Sequence, residues 1–145
     1  MPLAKRSLPL LLLILLVYLT SSLGSVGAVE EEYLTEAERT KYSDAVFDGA
    51  VEGVAQVGVI DEYQTLREAT VLLKSVVKGK SLRQGARVKV YFTGPNGQKM
   101  VACPSPPRIE PRMNARFYAK RRDLLEFKKA LFIQSGQWLL RKDAI

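Results

Sequence analysis

The chain contains no histidine. That removes histidine-based catalytic triads, imidazole metal ligands and the side chain that titrates nearest neutral pH. Cysteine is almost as scarce: Cys103 stands alone, so no intrachain disulfide can form. The Asn-x-Ser/Thr acceptor is missing too, because Asn96 precedes Gly-Gln and Asn114 precedes Ala-Arg, which leaves no site for N-glycosylation. The remaining routes to hydrolytic catalysis are a carboxylate pair, a serine–lysine dyad or an activated Cys103. Asp44, Asp48, Glu52, Asp61 and Glu62 match no catalytic spacing and read as a solvated face. Cys103 follows an apolar run and precedes Pro104, a setting for a buried or inter-chain thiol rather than for a nucleophile in an electropositive pocket. The sequence therefore reads as non-enzymatic, with no catalytic residue, no metal site and no cofactor.

What is present begins with a leader. Lys5 and Arg6 precede an uncharged run from Leu8 to Leu19, and small residues follow to Val26-Gly27-Ala28. These are the three regions of a cleavable signal peptide, so residues 1–28 are expected to be removed and the protein secreted to the extracellular space. The alternative is a type II membrane protein anchored by residues 8–23. A membrane-spanning helix needs about 20 apolar residues, and this run turns polar after about 12, which favours cleavage. Residues 29–145 then suffice for one domain with its own core. In a secreted chain the lone Cys103 points to a covalent dimer or to a buried thiol.

Charge is distributed unevenly. From Val29 to Glu68 there are 11 acidic residues and three basic ones; from Ala69 to Pro107 there are seven basic residues and no acidic ones. From Arg108 to the C-terminus ten basic residues outnumber four acidic. Such asymmetry suits a polyanionic partner. For a secreted chain that partner is a sulfated glycan or a membrane surface, and not nucleic acid. The alternative is that the acidic third neutralises the basic remainder within the same molecule. The candidate glycan-binding residues are Arg108, Arg112, Arg116, Lys120, Arg121, Arg122, Lys128 and Lys129, since guanidinium forks match sulfate oxygens as they match phosphate.

Residues 29–43 form an acidic segment in which Thr35 and Glu38 have capping-box spacing, predicting a short helix. Ala45–Val54 is β-prone with interspersed glycines and reads as a strand that bends or bulges. Ala69–Val77 is a second β-branched run, ended by Lys78-Gly79-Lys80. Val88, Val90 and Phe92 alternate with Arg87, Lys89 and Tyr91, as in a half-buried strand. Gly94-Pro95-Asn96-Gly97 predicts a turn and Lys99–Cys103 its returning strand. Prolines 104, 106, 107 and 111 mark a loop, and Asn114–Ala119 a further strand. Residues 123–140 fit either a helix or a terminal hairpin turning at Ser135-Gly136. Several short strands at this spacing predict an all-β fold with a flanking helix.

Five pieces of this pattern resemble a known group. Phe47-x-Gly49-x-Val51, Val77-Lys78-Gly79-Lys80, Val88-Lys89-Val90, Val101-Ala102-Cys103 and Arg116-Phe117-Tyr118 are together similar to the netrin-like and tissue-inhibitor-of-metalloproteinase barrels. The likeness is greatest to the laminin-binding N-terminal module of agrin and the N-terminal region of neuregulins, and it spans about residues 44–142. The resemblance implies a five-stranded OB-like Greek-key barrel over residues 44–145, working as an extracellular module that binds a matrix or cell-surface protein or a sulfated glycan. Two departures matter. Members of the group carry paired cysteines, whereas Cys103 has no mate. The metalloproteinase inhibitors also use an N-terminal cysteine, whereas the mature chain here would begin Val29-Glu30-Glu31.

Overall fold

The computed structural model describes residues 33–97 and 106–142. A helix, α1 (Glu36–Tyr42), precedes six strands: β1 (Ala45–Val59), β2 (Gln64–Lys78), β3 (Arg87–Pro95), β4 (Asn114–Leu124), β5 (Phe127–Phe132) and β6 (Leu139–Arg141). One turn of 3-10 helix, Gly136–Trp138, leads into β6. Among the described residues there are thus six strands. The capping box forms as its spacing predicts: Glu38 N–H donates to the Thr35 hydroxyl at 3.3 Å, and Thr35 N–H donates to the Glu38 carboxylate at 2.7 Å. The leader, its membrane-anchor alternative, the Lys99–Cys103 strand and the Cys103 thiol lie outside the described residues. Among the described residues no helix is long and apolar enough to cross a membrane.

β1 and β2 pair antiparallel along their whole length, as do β2 and β3 from Gln64↔Pro95 to Leu72↔Arg87. β3 then meets β5 in parallel at Val90↔Leu131 and Tyr91↔Phe132. β5 returns along β4, and β4 pairs back with the first part of β1, from Ala45↔Ala119 to Ala50↔Asn114. The pairings run in a ring of five strands, with β6 added to β4. One strand can serve both β2 and β4 because β1 bends, with register shifts at Val46/Phe47, Asp48/Gly49, Val51/Gly53 and Gln56/Gly58. Extra residues of this kind sharpen twist and re-aim side chains.

Gly49 sits at one of these bends, packed against β2. A Cβ there would overlap Val71 Cγ1 and lie 2.9 Å from the Leu72 carbonyl oxygen, a backbone atom that cannot swing aside. At Gly53 a Cβ would meet nothing within 4 Å. Gly49→Ala is therefore expected to cost about 1–3 kcal/mol by overpacking, whereas Gly53→Ala leaves stability unchanged or slightly raised. Urea unfolding of the two variants side by side checks this. Equal midpoints would mean that β1 does not approach β2 so closely.

Alternate side chains of β1, β2, β3 and β4 fill the main core, among them Phe47, Val71, Val90, Phe92 and Phe117, with Ile109, Met113 and Trp138 packed against them. The Phe47 and Phe117 rings stack at 5.3 Å. A second apolar cluster of Leu66, Tyr91, Ala130 and Phe132 is completed by Val57, Leu124 and Phe127. Tyr91 keeps the face it shares with Arg87 and Lys89, but at its position the second cluster covers that face. Its ring lies 4.7 Å from Phe127 and its hydroxyl donates to Glu68 at 2.8 Å. Burial and the Glu68 carboxylate push the phenol up to about 12.

Two local expectations are corrected. Gly94-Pro95 is not a turn: β3 continues through Pro95 opposite Gln64, and Asn96 N–H donates to the Tyr63 carbonyl at 2.9 Å. A proline at a strand end is tolerated because the ladder there needs no donor from it. Residues 123–140 are neither a helix nor a terminal hairpin. β4 extends to Leu124, the chain reverses over Leu125-Glu126, and β5 and β6 both pair with β4 rather than with each other. Leu131, Ile133 and Trp138 contribute to the main core and Phe132 to the second cluster.

Candidate functional site

The bend in β1 points Asp48 away from the core, between β2 and β4, where Ser75 and Arg116 are its register partners. Asp48 Oδ1 accepts from Arg116 Nε at 2.8 Å. Its Oδ2 accepts from Arg116 Nη2 at 3.0 Å, Ser75 Oγ at 2.9 Å and Lys142 Nζ at 2.8 Å. These four donors saturate the carboxylate. The Arg116 guanidinium, then Lys142 and Ser75, hold Asp48 far below the usual carboxylate range against the opposing effect of its burial. The same pairing raises Arg116 further above its ordinary value.

Arg116 has one more partner. Its Nη1 donates at 2.8 Å to Glu36 of α1, and the Tyr118 hydroxyl donates to the same carboxylate oxygen at 3.0 Å. Glu36 is lowered by the Tyr118 and Arg116 hydrogen bonds, while burial and Glu36 together raise the Tyr118 phenol. Polar contacts of this kind dominate the docking of α1, which buries no residue of its own. Lys78 Nζ donates to the Thr40, Lys41 and Ser43 carbonyls at the helix end, where the backbone dipole favours a cation. Arg39 Nη1 donates to the Gln137 carbonyl at 2.7 Å, and Leu34 N–H to Gln137 Oε1 at 3.1 Å.

Beside Asp48, Lys74 Nζ donates to Asn114 Oδ1 at 2.6 Å. Lys74 and Lys142, with Ser75, Asn114 and the small Gly49 and Ala115, line an open cleft of about 380 Å³ with Asp48. It has no aromatic wall and no large apolar side chain.

The eight cations nominated from the sequence do not form one patch. Arg116 belongs to the Asp48 cluster. Arg108 and Arg112 lie in the loop before β4, with Arg112 at φ 68° and its N–H donating to Val51 at 2.8 Å. Lys120 stands 5.6 Å from the Trp138 ring centre, and Arg122 5.4 Å from that of Phe132. Arg121 donates to the Lys129 carbonyl at 3.2 Å and to Ser81 Oγ at 2.9 Å, joining the β4–β5 hairpin to the β2–β3 loop. Lys128 reaches Asp123 at 4.0 Å between two exposed side chains. Five of the eight, Lys120 to Lys129, are thus gathered at one hairpin, beside a loop that carries Lys80 and Arg83.

Sequence reasoning missed Lys74 and Lys142. Their only signal was charge, and what brings them to Asp48 is register between segments far apart in the chain. The acidic third also finds partners within the molecule: besides Glu36 and Asp48, Glu52 pairs with Arg87 at 2.7 Å and Glu68 with Lys89 at 3.1 Å. Among the described residues no group of three or more histidines, cysteines or carboxylates is placed to hold a metal ion. The chain matches no protein-family model, and no curated protein matches it in sequence.

Proposed function

We propose that this protein is a secreted, non-enzymatic binding module built on an OB-like barrel, and that it recognises a sulfated glycan of the extracellular matrix or cell surface. The fold reading draws on the ring β1-β2-β3-β5-β4-β1 and its long return from β3 to β4, features of a five-stranded Greek-key barrel, and on the resemblance to netrin-like modules. The observation that carries the function is the charge left over once the acids are paired. Exposed cations concentrate at the β4–β5 hairpin and the adjoining β2–β3 loop, where Arg121 and Ser81 meet. Clustered charge of one sign attracts polyanions over several ångströms and weakens with salt.

Heparin-agarose chromatography of the purified secreted chain tests this. Elution only above about 0.15 M salt is the expected result. Flow-through at low salt would overturn it.

A further inference from the structure

We propose that the cleft over Asp48 is a subsite for one acidic saccharide unit, whose sulfate or carboxylate lies between Lys74 and Lys142. The proposal rests on the glycan reading above, but places the recognition of individual sugars away from the hairpin cations. An ammonium group has three donors. Lys142 gives one to Asp48, and Lys74 gives one to Asn114, so each keeps two for an incoming anion. Asp48 alone would repel that anion. Yet its charge is met by Arg116 and Lys142 together; Arg116 also holds Glu36 through Nη1, so with Lys74 the cluster sets three cations against two carboxylates, and the cleft itself is lined by two lysines and one carboxylate.

The cleft is also built in advance. Ser75 and Asp48 are opposite each other in paired strands and hydrogen-bonded at 2.9 Å, so binding orders little that is not already ordered. Its volume of about 380 Å³ falls at the small end of ligand pockets, and its open mouth suits one unit of a longer chain. The polar lining and the absence of an apolar wall favour a hydrophilic ligand.

The decisive comparison is between two variants that each remove two charges: Lys74→Gln/Lys142→Gln in the cleft and Lys128→Gln/Lys129→Gln at the hairpin. A heparin-derived sulfated disaccharide is the probe, titrated calorimetrically, with heparin-agarose retention measured in parallel. The cleft pair is expected to lose about tenfold or more in disaccharide affinity, while the hairpin pair stays within about twofold and shifts only the column elution. Equal losses in the two variants, or none in the cleft pair, would overturn the subsite. Failure of the wild-type chain to bind the column would instead overturn the glycan reading itself. Should the cleft variant fold poorly, amide chemical shifts of the wild-type chain decide the matter. Disaccharide-induced shifts centred on Lys74, Ser75 and Asn114 support the subsite, and their absence at saturation refutes it.

Discussion

Phe117→Ala is expected to cost about 3–5 kcal/mol of folding free energy. Phe117 is fully buried in β4, directly opposite Phe47 in register, and its ring stacks on Phe47 at 5.3 Å. The pair lies where β4 joins β1, so truncation removes apolar contact at the closure of the strand ring. A domain of this size is stable by about 5–15 kcal/mol in all, and with one cysteine it has no intrachain disulfide to compensate. With a urea dependence of about 1–3 kcal/mol per molar, the unfolding midpoint should fall by more than one molar. A loss below about 1 kcal/mol would mean that β1 and β4 do not share a close-packed core.

Asp48→Asn is the second large effect, and its size depends on pH. The asparagine keeps the volume but leaves Arg116 and Lys142 without their common anion. Removing one partner of a buried pair costs about 3–5 kcal/mol. The Asp48 side chain is 16% exposed and that of Arg116 24%, so solvent reduces the expected loss to about 2–3 kcal/mol near neutral pH. An aspartate in the unfolded chain titrates near 3.9, whereas folded Asp48 is held far lower by Arg116. Its stabilisation is therefore complete above the unfolded value and is lost as pH falls below it towards the folded one. The gap in unfolding free energy between wild type and Asp48→Asn should be widest near neutrality and should narrow steadily below about pH 4. A gap constant from pH 7 to pH 2.5 would contradict the ion-paired carboxylate.

Local features of the fold were legible in the residues themselves. Thr35 and Glu38 announce the helix start because a capping box is completed within four residues. The glycines of β1 announce its bends, and the alternation in β3 announces a strand. The misreadings occurred where a distant segment decides. Pro95 resembles a turn residue until Gln64 is placed opposite it. Residues 123–140 are ambiguous because helix and hairpin both satisfy their apolar spacing, and only the edge of β4 selects between them. For the candidate site, Arg116 was identified by residue type, but nothing local shows that Asp48 and Glu36 hold it. Lys74 and Lys142 come together through pairings of β1 with β2, β1 with β4 and β4 with β6. Each of those registers is a long-range property that composition and period do not encode.

The same ring has a consequence in time. Arg116 follows its partner Asp48 by 68 residues, and Gln137 follows Leu34 by 103. At a synthesis rate of about 5–20 residues per second, β1 waits roughly 3–14 seconds for β4 to emerge. During that interval Ala45–Ala50, the part of β1 that β4 will pair, has its β2 partner but no strand on its far side, an arrangement prone to pairing between chains. The acidic third is emerging at the same moment with few of its cations yet made. Before Glu36 and Asp48 serve as anchors they act as repulsive charges, holding nascent chains apart until the basic two-thirds arrives to neutralise them.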